Sequence, residues 1–470
     1  MVRNAMLWKD LSGLPIHAHG GGMLQSGPYI YWFGENREGR KRVSCYRSTD
    51  LTHWEFRGDV LTLDSPFEPI DMRTSPELVT DPDTGRGANI ERPKVIYNAK
   101  TSKYVMWMHW ENGKDYSAAR CAVASCDTID GDYVYHGSFN PVGAMSRDCT
   151  LFVDDDGTAY FISAARENAD LHMYRLSSDY LTIDEQVRTL WPGQYREAPA
   201  VVKRNGVYFM VTSGCTGWEP NQGKYAYAHS LTGSWSELYD LGSPTTYDTQ
   251  PTYILPLQGS AATSYLYVGD RWYPSNYHQS SYVVLPLEFP TDTTMRLYWA
   301  DTVHIDAGKG TVATASKDSG VWRIRTASHR YLAPDSNGAL TAQTLNYISE
   351  EQLWLLEPDM DAGQEDRIVR IRNKACGRYM EPMKADGAVE AVSIALSDRS
   401  DRSSQQWGMK AEAKEGWFVL TNRDSGQALT LSREHEGKPR LLELSEDGTP
   451  GPGQRFLFVP HYGADGAGEE

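Results

Sequence analysis

Between residues 14 and 303 the polar and apolar positions repeat as a unit: one polar residue, a short apolar run, a tight turn, and a second apolar run. Glu197 heads Ala198-Pro199-Ala200-Val201-Val202, and past Asn205-Gly206 the chain continues Val207-Tyr208-Phe209-Met210-Val211. Glu91 heads Arg92 to Tyr97, followed by Lys103-Tyr104-Val105-Met106-Trp107. Asp148 heads Cys149 to Val153 and, through Asp155-Asp156-Gly157, Ala159 to Ile162. Gln250 heads Pro251 to Leu255 and then Ser264 to Val268, and His19 heads Gly20 to Leu24 and then Pro28 to Phe33. Short runs rich in β-branched and aromatic residues between Gly, Asn and Asp turns predict strands, and no long amphipathic helical pattern interrupts them. A period of roughly 50 residues is that of propeller blades, whose innermost strands converge on one axis. The pattern therefore predicts a five-bladed β-propeller over residues 1–305, with His19, Glu91, Asp148, Glu197 and Gln250 around one pocket.

A polar, Gly-rich stretch at 306–319 then reads as a linker, and residues 320–462 repeat differently. Gln352-Leu353-Trp354, Gln405-Gln406-Trp407 and Gln454-Arg455-Phe456 are Gln-x-aromatic motifs. They close segments that open with similar strands at Val321 to Arg325, Ile368 to Arg372 and Trp417 to Thr421. Three such segments in register predict a β-trefoil, with the motif aromatics in a shared threefold core. The whole chain is thus all-β, a propeller followed by a trefoil, and 463–470 reads as a disordered acidic tail.

Composition narrows the partners. A net charge of −16 argues against nucleic acid and anionic membrane surfaces and leaves a neutral polymer. With 28 Tyr and 14 Trp there are many flat apolar faces for stacking on sugars, although β-rich packing uses the same residues. Six scattered cysteines without a CxxC pattern read as free thiols and not as a zinc site or disulfide framework. No apolar run is long enough to span a membrane, and no signal peptide precedes Trp8. Either a secreted chain has been trimmed or the protein is cytoplasmic.

Three of the five polar residues are carboxylates in equivalent positions, which points to acid chemistry on an oxygen-rich neutral substrate. Glycoside hydrolysis uses one protonated carboxyl group to donate to the leaving oxygen and a second group on the other face of the sugar. Glu197 is the candidate acid, because strand alternation turns the adjacent Arg196 away. Asp148 is the candidate modulator, since a neighbouring carboxylate raises the pKa of its partner. Glu91 is a third carboxylate that could hold sugar hydroxyls or Glu197.

These features resemble glycoside hydrolase family 43, the inverting propeller enzymes, through the Asp50-Leu51-Thr52-His53-Trp54 turn, the Asp155-Asp156-Gly157 turn and the Arg196-Glu197-Ala198-Pro199 strand. That family normally starts its first blade with an Asp general base, where this chain has Ala18-His19-Gly20-Gly21-Gly22. The departure is similar to the exo-β-1,3-galactanase branch, whose motifs stand here as His19 to Gly22, Tyr31 to Glu35 and Gln250 to Thr252. The resemblance implies Glu197 as acid, Asp148 as its modulator, Glu91 as an orienting carboxylate, and Gln250, as an imidic acid, at the water-activating place. Glu91 acting through water is the competing base, and Gln250 as a plain hydroxyl ligand is a third reading. Arg92, Glu35, Tyr116, Asn168 and Thr216 are implied substrate contacts, and Trp110, Trp218 and Trp272 candidate stacking platforms.

The implied activity is exo-hydrolysis of β-1,3-galactan, the arabinogalactan backbone, releasing galactose with inversion. β-Galactofuranosidase or α-L-arabinofuranosidase activity is the alternative among enzymes, and a non-catalytic galactan-binding lectin the alternative outside them. No cofactor is required and no metal-ligand cluster is specified, although a Ca²⁺ on the propeller axis is compatible with the fold. The second half resembles family 13 carbohydrate-binding modules, or ricin-type lectins. Of the family's sugar-gripping acidic positions only Glu381 retains a carboxylate, so a structural partner for the propeller is an equal reading of the trefoil.

Overall fold

The computed structural model describes residues 1–70, 78–81, 83–317, 319–358, 367–384, 392–412, 416–432, 442–445 and 451–463. The chain forms two compact units, Met1–Trp272 with Asn276–Ser316, and Lys317–Glu470 with Tyr273–Ser275. Among the described residues only short 3₁₀ turns interrupt the strands, and no helix is long and apolar enough to cross a membrane.

The first unit contains five four-stranded antiparallel sheets, each a simple meander in chain order. Their first strands are His19–Ser26, Asn89–Asn98, Cys149–Val153, Arg196–Arg204 and Gln250–Gln258. Each of these packs beside the next, and the last packs back on the first, so the five close a ring. The propeller-type arrangement explains why the strands are apolar on both faces, since each sheet is covered by a sheet on either side. In Lys103–Glu111, Met106, Met108 and Trp110 join the core shared with the first sheet, while Val105 and Trp107 join the core shared with the third. In the third sheet Phe161 and Tyr174 face back to the second, while Tyr160, Ile162 and Met173 face the fourth. Alternation assigns side chains to two different cores instead of to core and solvent.

The chain start ties the ring shut. Val2 and Arg3 pair with Val303 and Thr302, and the buried Asn4 side chain bonds the backbone of Val284 and Ala300 at 2.8–2.9 Å. The same pairing corrects the expected linker. Thr302–Asp306 and Thr311–Ala315 form a hairpin on that N-terminal strand, with Asp306 to Gly310 as its turn. The Gly-rich composition marks a hairpin turn, and the first unit runs on to Ser316.

The second unit has three repeats of four strands, which open at Val321, Arg367 and Trp417. Trp354, Trp407 and Phe456 are fully buried in one core with Ile324, Ile371 and Leu420. Trp354 and Trp407 make the same bond in successive repeats, their indole N–H groups donating to the carbonyls of Leu332 and Met380 at 3.1 Å. The motif glutamines lock the loop before each strand: Gln352 donates to the Thr344 carbonyl and accepts from the Asn346 amide, and Gln454 accepts from Gly451. Glu381 belongs to this framework. Its buried carboxylate accepts from Ser397, Ser404 and Gln405, so it braces strands of its own repeat. The expected tail beyond Gly463 lies outside the described residues.

Two predictions follow from this packing. A Cβ on Gly21 would lie 1.8 Å from the Phe33 carbonyl oxygen, so Gly21→Ala lowers stability by at least about 2 kcal/mol in denaturant unfolding. Gly308→Ala, whose Cβ meets nothing closer than 3.6 Å, is the near-neutral control. Glu381→Ala removes the acceptor of Ser404, while Gln405 keeps Ser397 and the Asp398 carbonyl, and destabilises by about 1 kcal/mol, read as a lower thermal midpoint of the second unit.

Candidate active site

A shared backbone device sits at the heads of the inner strands; it brings Glu91 and Glu197 to one cavity, whereas His19, expected there too, is fully buried and pairs with Asp270 at 3.1 Å. In the first, second and fourth sheets the ladder bulges just after His19, Glu91 and Glu197. The next residues, Gly20, Arg92 and Ala198, have φ of 59°, 54° and 51°. A bulge with one left-handed residue turns the strand end and breaks the simple in–out alternation. As a result Glu91 and Arg92, neighbours in sequence, both line the same cavity.

That cavity is about 430 Å³ and brings together Glu35, Glu91, Arg92, Tyr116, Asp148, Asn168, Glu197, Gln250 and Trp272. Thr216 is turned away. Its hydroxyl donates to the Glu219 carbonyl at 2.6 Å and accepts from Asn221 at 2.7 Å, and the wall position belongs to its neighbour Cys215. Trp218 lines the cavity, stacked on Trp272 at 5.8 Å between centroids and 15° between planes. Trp110 is instead a buried core residue beneath Arg120.

Glu197 is buried, and its Oε1 and Oε2 accept from Gln250 Nε2 at 3.0 Å and Asn168 Nδ2 at 3.1 Å. Burial and then the Asp148 charge push its pKa up to about 8, against the opposing pull of Arg92. The Arg196 guanidinium bonds Thr212 instead, through Nε to Oγ1 at 2.9 Å and Nη2 to the carbonyl at 2.8 Å. Arg92 spans the floor: Nη2 reaches Asp148 Oδ2 at 3.0 Å and the Gln250 amide oxygen, and Nη1 donates to the Pro251 carbonyl at 3.0 Å. All four hydrogen-bonding positions of the Gln250 amide are in use. Oε1 also accepts from Trp272 Nε1 at 2.7 Å, and Nε2 also donates to Ser213 Oγ at 3.0 Å.

On the opposite side of Arg92, the guanidinium of Arg37 is shared by two carboxylates. It reaches Glu35 Oε2 at 2.8 Å and Glu91 Oε1 at 2.6 Å. Tyr116 donates to the same Glu91 oxygen at 2.7 Å, and His109 Nδ1 stands 3.2 Å from Oε2. Burial opposes the charge on Glu91, but Arg37, His109 and Tyr116 outweigh it and hold the carboxyl well below the usual range. Glu35 is pushed up to about 7 by burial and by the Glu91 charge, despite Arg37. Arg37, His109 and Cys215 line the cavity and escaped the sequence reading. The available signals were a polar His109-Trp110-Glu111 ending in an apolar strand and the Arg37 that follows the Glu35 motif.

Glu91, His109 and Asp148 each bring a ligand-type atom within 4.8 Å of the others, the one such group among the described residues. Arg37, Arg92 and His109 already supply positive charge to these carboxylates, which leaves a poor seat for a further cation. Deeper in the ring the buried Lys94 ammonium donates to the Gly20 carbonyl at 2.6 Å.

A buried glutamic acid that keeps its proton, ringed by carboxylates at the ends of stacked four-stranded sheets, defines a glycoside hydrolase of the propeller type. The chain belongs to glycosyl hydrolases family 43, whose model matches residues 22–293, and a ricin-type β-trefoil lectin domain-like model matches residues 350–440. Among solved structures it is similar to an exo-β-1,3-galactanase from Clostridium thermocellum, at 40% identity and a TM-score of 0.62, covering 98% of this chain and 99% of that one. It is also similar to a Phanerochaete chrysosporium exo-β-1,3-galactanase variant in complex with β-1,3-galactotriose, at 29% identity and a TM-score of 0.60, covering 98% and 92% of the two chains. No curated protein matches the chain.

The electrostatics predict the alkaline side of the pH profile. A group that acts protonated with a pKa near 8 is fully competent below that pH and loses competence above it. The alkaline limb of kcat/KM is therefore expected near pH 8. Asp148→Asn removes a charge that raises Glu197, so the limb moves to lower pH. A limb that stays in place would show that Glu197 does not feel Asp148.

Proposed function

We propose that the protein is an inverting, exo-acting β-1,3-galactanase, and that its five sheets are the five blades of the catalytic propeller. The observation that carries the chemistry is Glu197, buried beside Asp148 with a pKa near 8, in a cavity of about 430 Å³. A cavity of that size suits the end of a sugar chain better than its middle. Two relatives carrying the name exo-β-1,3-galactanase, one of them holding β-1,3-galactotriose, support galactan as the substrate.

Glu197 gives its proton to the glycosidic oxygen as the bond from C1 breaks, and the positive charge that develops on the sugar is favoured by the surrounding carboxylates. Water then attacks C1 from the opposite face and gives up a proton. Glu91 is the candidate acceptor: it is ionised beside Arg37 and His109, and its two hydrogen-bond donors, Arg37 and Tyr116, are both on Oε1, which leaves Oε2 for the water. Gln250 as an imidic acid would need a proton on Oε1, but that atom faces two groups that only donate, Arg92 and Trp272. Gln250 is better read as a clamp, its N–H₂ fixing Glu197 against Ser213. Asn168 steadies the other oxygen of the acid, and Trp272 and Trp218 supply an apolar wall for a sugar face.

The deciding experiment is hydrolysis of β-1,3-galactooligosaccharides followed by NMR. Galactose released from the non-reducing end as the α-anomer is expected, while silence on galactan with turnover of an arabinofuranoside or galactofuranoside would overturn the substrate. Glu197→Gln should cut kcat by about 10²–10⁴-fold with galactotriose affinity within threefold. Azide offered to Glu91→Ala should yield α-galactosyl azide. If Gln250→Ala gives that product instead, Gln250 is the base.

A further inference from the structure

The second strand of the second sheet ends in a buried acid–base pair, His109 and Glu111, of which the chemistry above uses only the His109 charge. Glu111 has no solvent exposure, and its carboxylate is pinned by three backbone contacts: Oε1 accepts from Ala119 at 3.0 Å, and Oε2 accepts from Ala118 and Ala119 at 3.1 Å. Oε1 also meets His109 Nε2 at 2.9 Å. His109 is 1% exposed, and its other ring nitrogen stands 3.2 Å from Glu91 Oε2. The register explains the geometry. His109 is the ladder partner of Glu91 across the bulge, and residues two apart on a strand share a face, so Glu111 stacks behind it. One imidazole therefore lies between two carboxylates, hydrogen-bonded to the inner one, which is bolted to the backbone, and at ion-pair distance from the outer one in the cavity.

We infer that Glu111 and His109 form a buried positioning pair, in which Glu111 fixes the imidazole and the imidazole holds Glu91 ionised and in place. The inference rests on the reading of Glu91 as the carboxylate that handles water. A ring that faces a carboxylate with each nitrogen is built to be doubly protonated, so the pair acts as imidazolium. Burial alone would discharge the ring, but Glu111 and Glu91 outweigh it and carry the His109 pKa to about 9. The other groups that face the ring are the Tyr116 ring at 6.1 Å, Asp148 within the same cluster, and Arg37 across Glu91. Arg37 and Tyr116 both donate to Oε1, while the His109 ring stands 3.2 Å from Oε2 and acts on it by charge. Oε2 is thereby the oxygen of Glu91 left for an incoming water. His109 touches the substrate nowhere in this scheme. It acts through Glu91, as second partners of active-site ligands do.

The test uses the full chain with His109→Gln, Glu111→Gln and Glu91→Gln, measured on β-1,3-galactotriose across pH. His109→Gln and Glu111→Gln are expected to lower kcat by about 10- to 100-fold with KM within threefold. They should also move the acid limb of kcat/KM to higher pH, because Glu91 loses the cation that keeps it ionised. A change confined to thermal stability, with wild-type kcat and acid limb, overturns the inference. Turnover retained by Glu91→Gln overturns the reading of Glu91 itself, and the inference with it. Should both variants fail to fold, the wild-type protein still decides: imidazole ¹⁵N shifts must show His109 doubly protonated at pH 8, and a neutral ring there refutes the inference.

Discussion

Three inner strands leave regular geometry one residue after their polar head, at Gly20, Arg92 and Ala198, and the pocket depends on that turn. A regular strand would send Glu91 and Arg92 to opposite faces, one toward each neighbouring sheet, where a lone buried charge is costly. The left-handed residue swings both into the space enclosed by the ring. Holding a non-glycine residue there costs on the order of 1–3 kcal/mol, and the cost is offset by ladders and cores that continue undisturbed a residue or two further on. The strained ends and the well-packed middles of the same strands are therefore one design. The middles set the distance between sheets, and the ends use that fixed distance to converge.

What converges is an alternating electrostatic circuit. Glu35, Arg37, Glu91, His109 and Glu111 follow one another by direct contact, and Arg92 links Asp148 with the amide of Gln250, which in turn holds Glu197. In a water-poor cavity each carboxylate takes its character from its nearest cation. Glu91, with two positive neighbours, is ionised; Glu197, with a carboxylate neighbour and a more distant guanidinium, retains its proton. Pairs of titratable groups pushed in opposite directions are how one site runs acid and base chemistry at one pH.

The repeated heads, the strand–turn–strand rhythm and the Gln-x-aromatic triplet were legible because each is a period in the chain, and periodicity survives without coordinates. Glu91, Asp148, Glu197 and Gln250, read from that period, line one cavity, together with contacts such as Glu35 and Asn168 that the family resemblance supplied. The failures share a different cause. Thr216 and Cys215 differ by one position in a loop, where no period says which side chain faces in. Glu381 carries the right charge for a sugar, yet its partners Ser397, Ser404 and Gln405 come from later in the same repeat. His109 and Glu111 went unread, because their pairing opposite Glu91 is a matter of register. The 306–319 stretch looked like a linker because its partner strand is at the other end of the chain.

The triple glycine of the first strand also bears on how such a site can change over time. A Cβ would meet Arg92 Cδ at 3.2 Å from Gly20, the Phe33 carbonyl at 1.8 Å from Gly21, and Lys94 Cδ at 2.6 Å from Gly22. The room in which an aspartate side chain would stand is filled by Arg92, Lys94 and the backbone of the adjoining strand. No single substitution restores a carboxylate there, because the two cations would first have to be replaced, and Arg92 is bound to Asp148 and Gln250. The glycines and the side chains packed on them can therefore change only together, and the strand that looks least decorated is among the least free to vary.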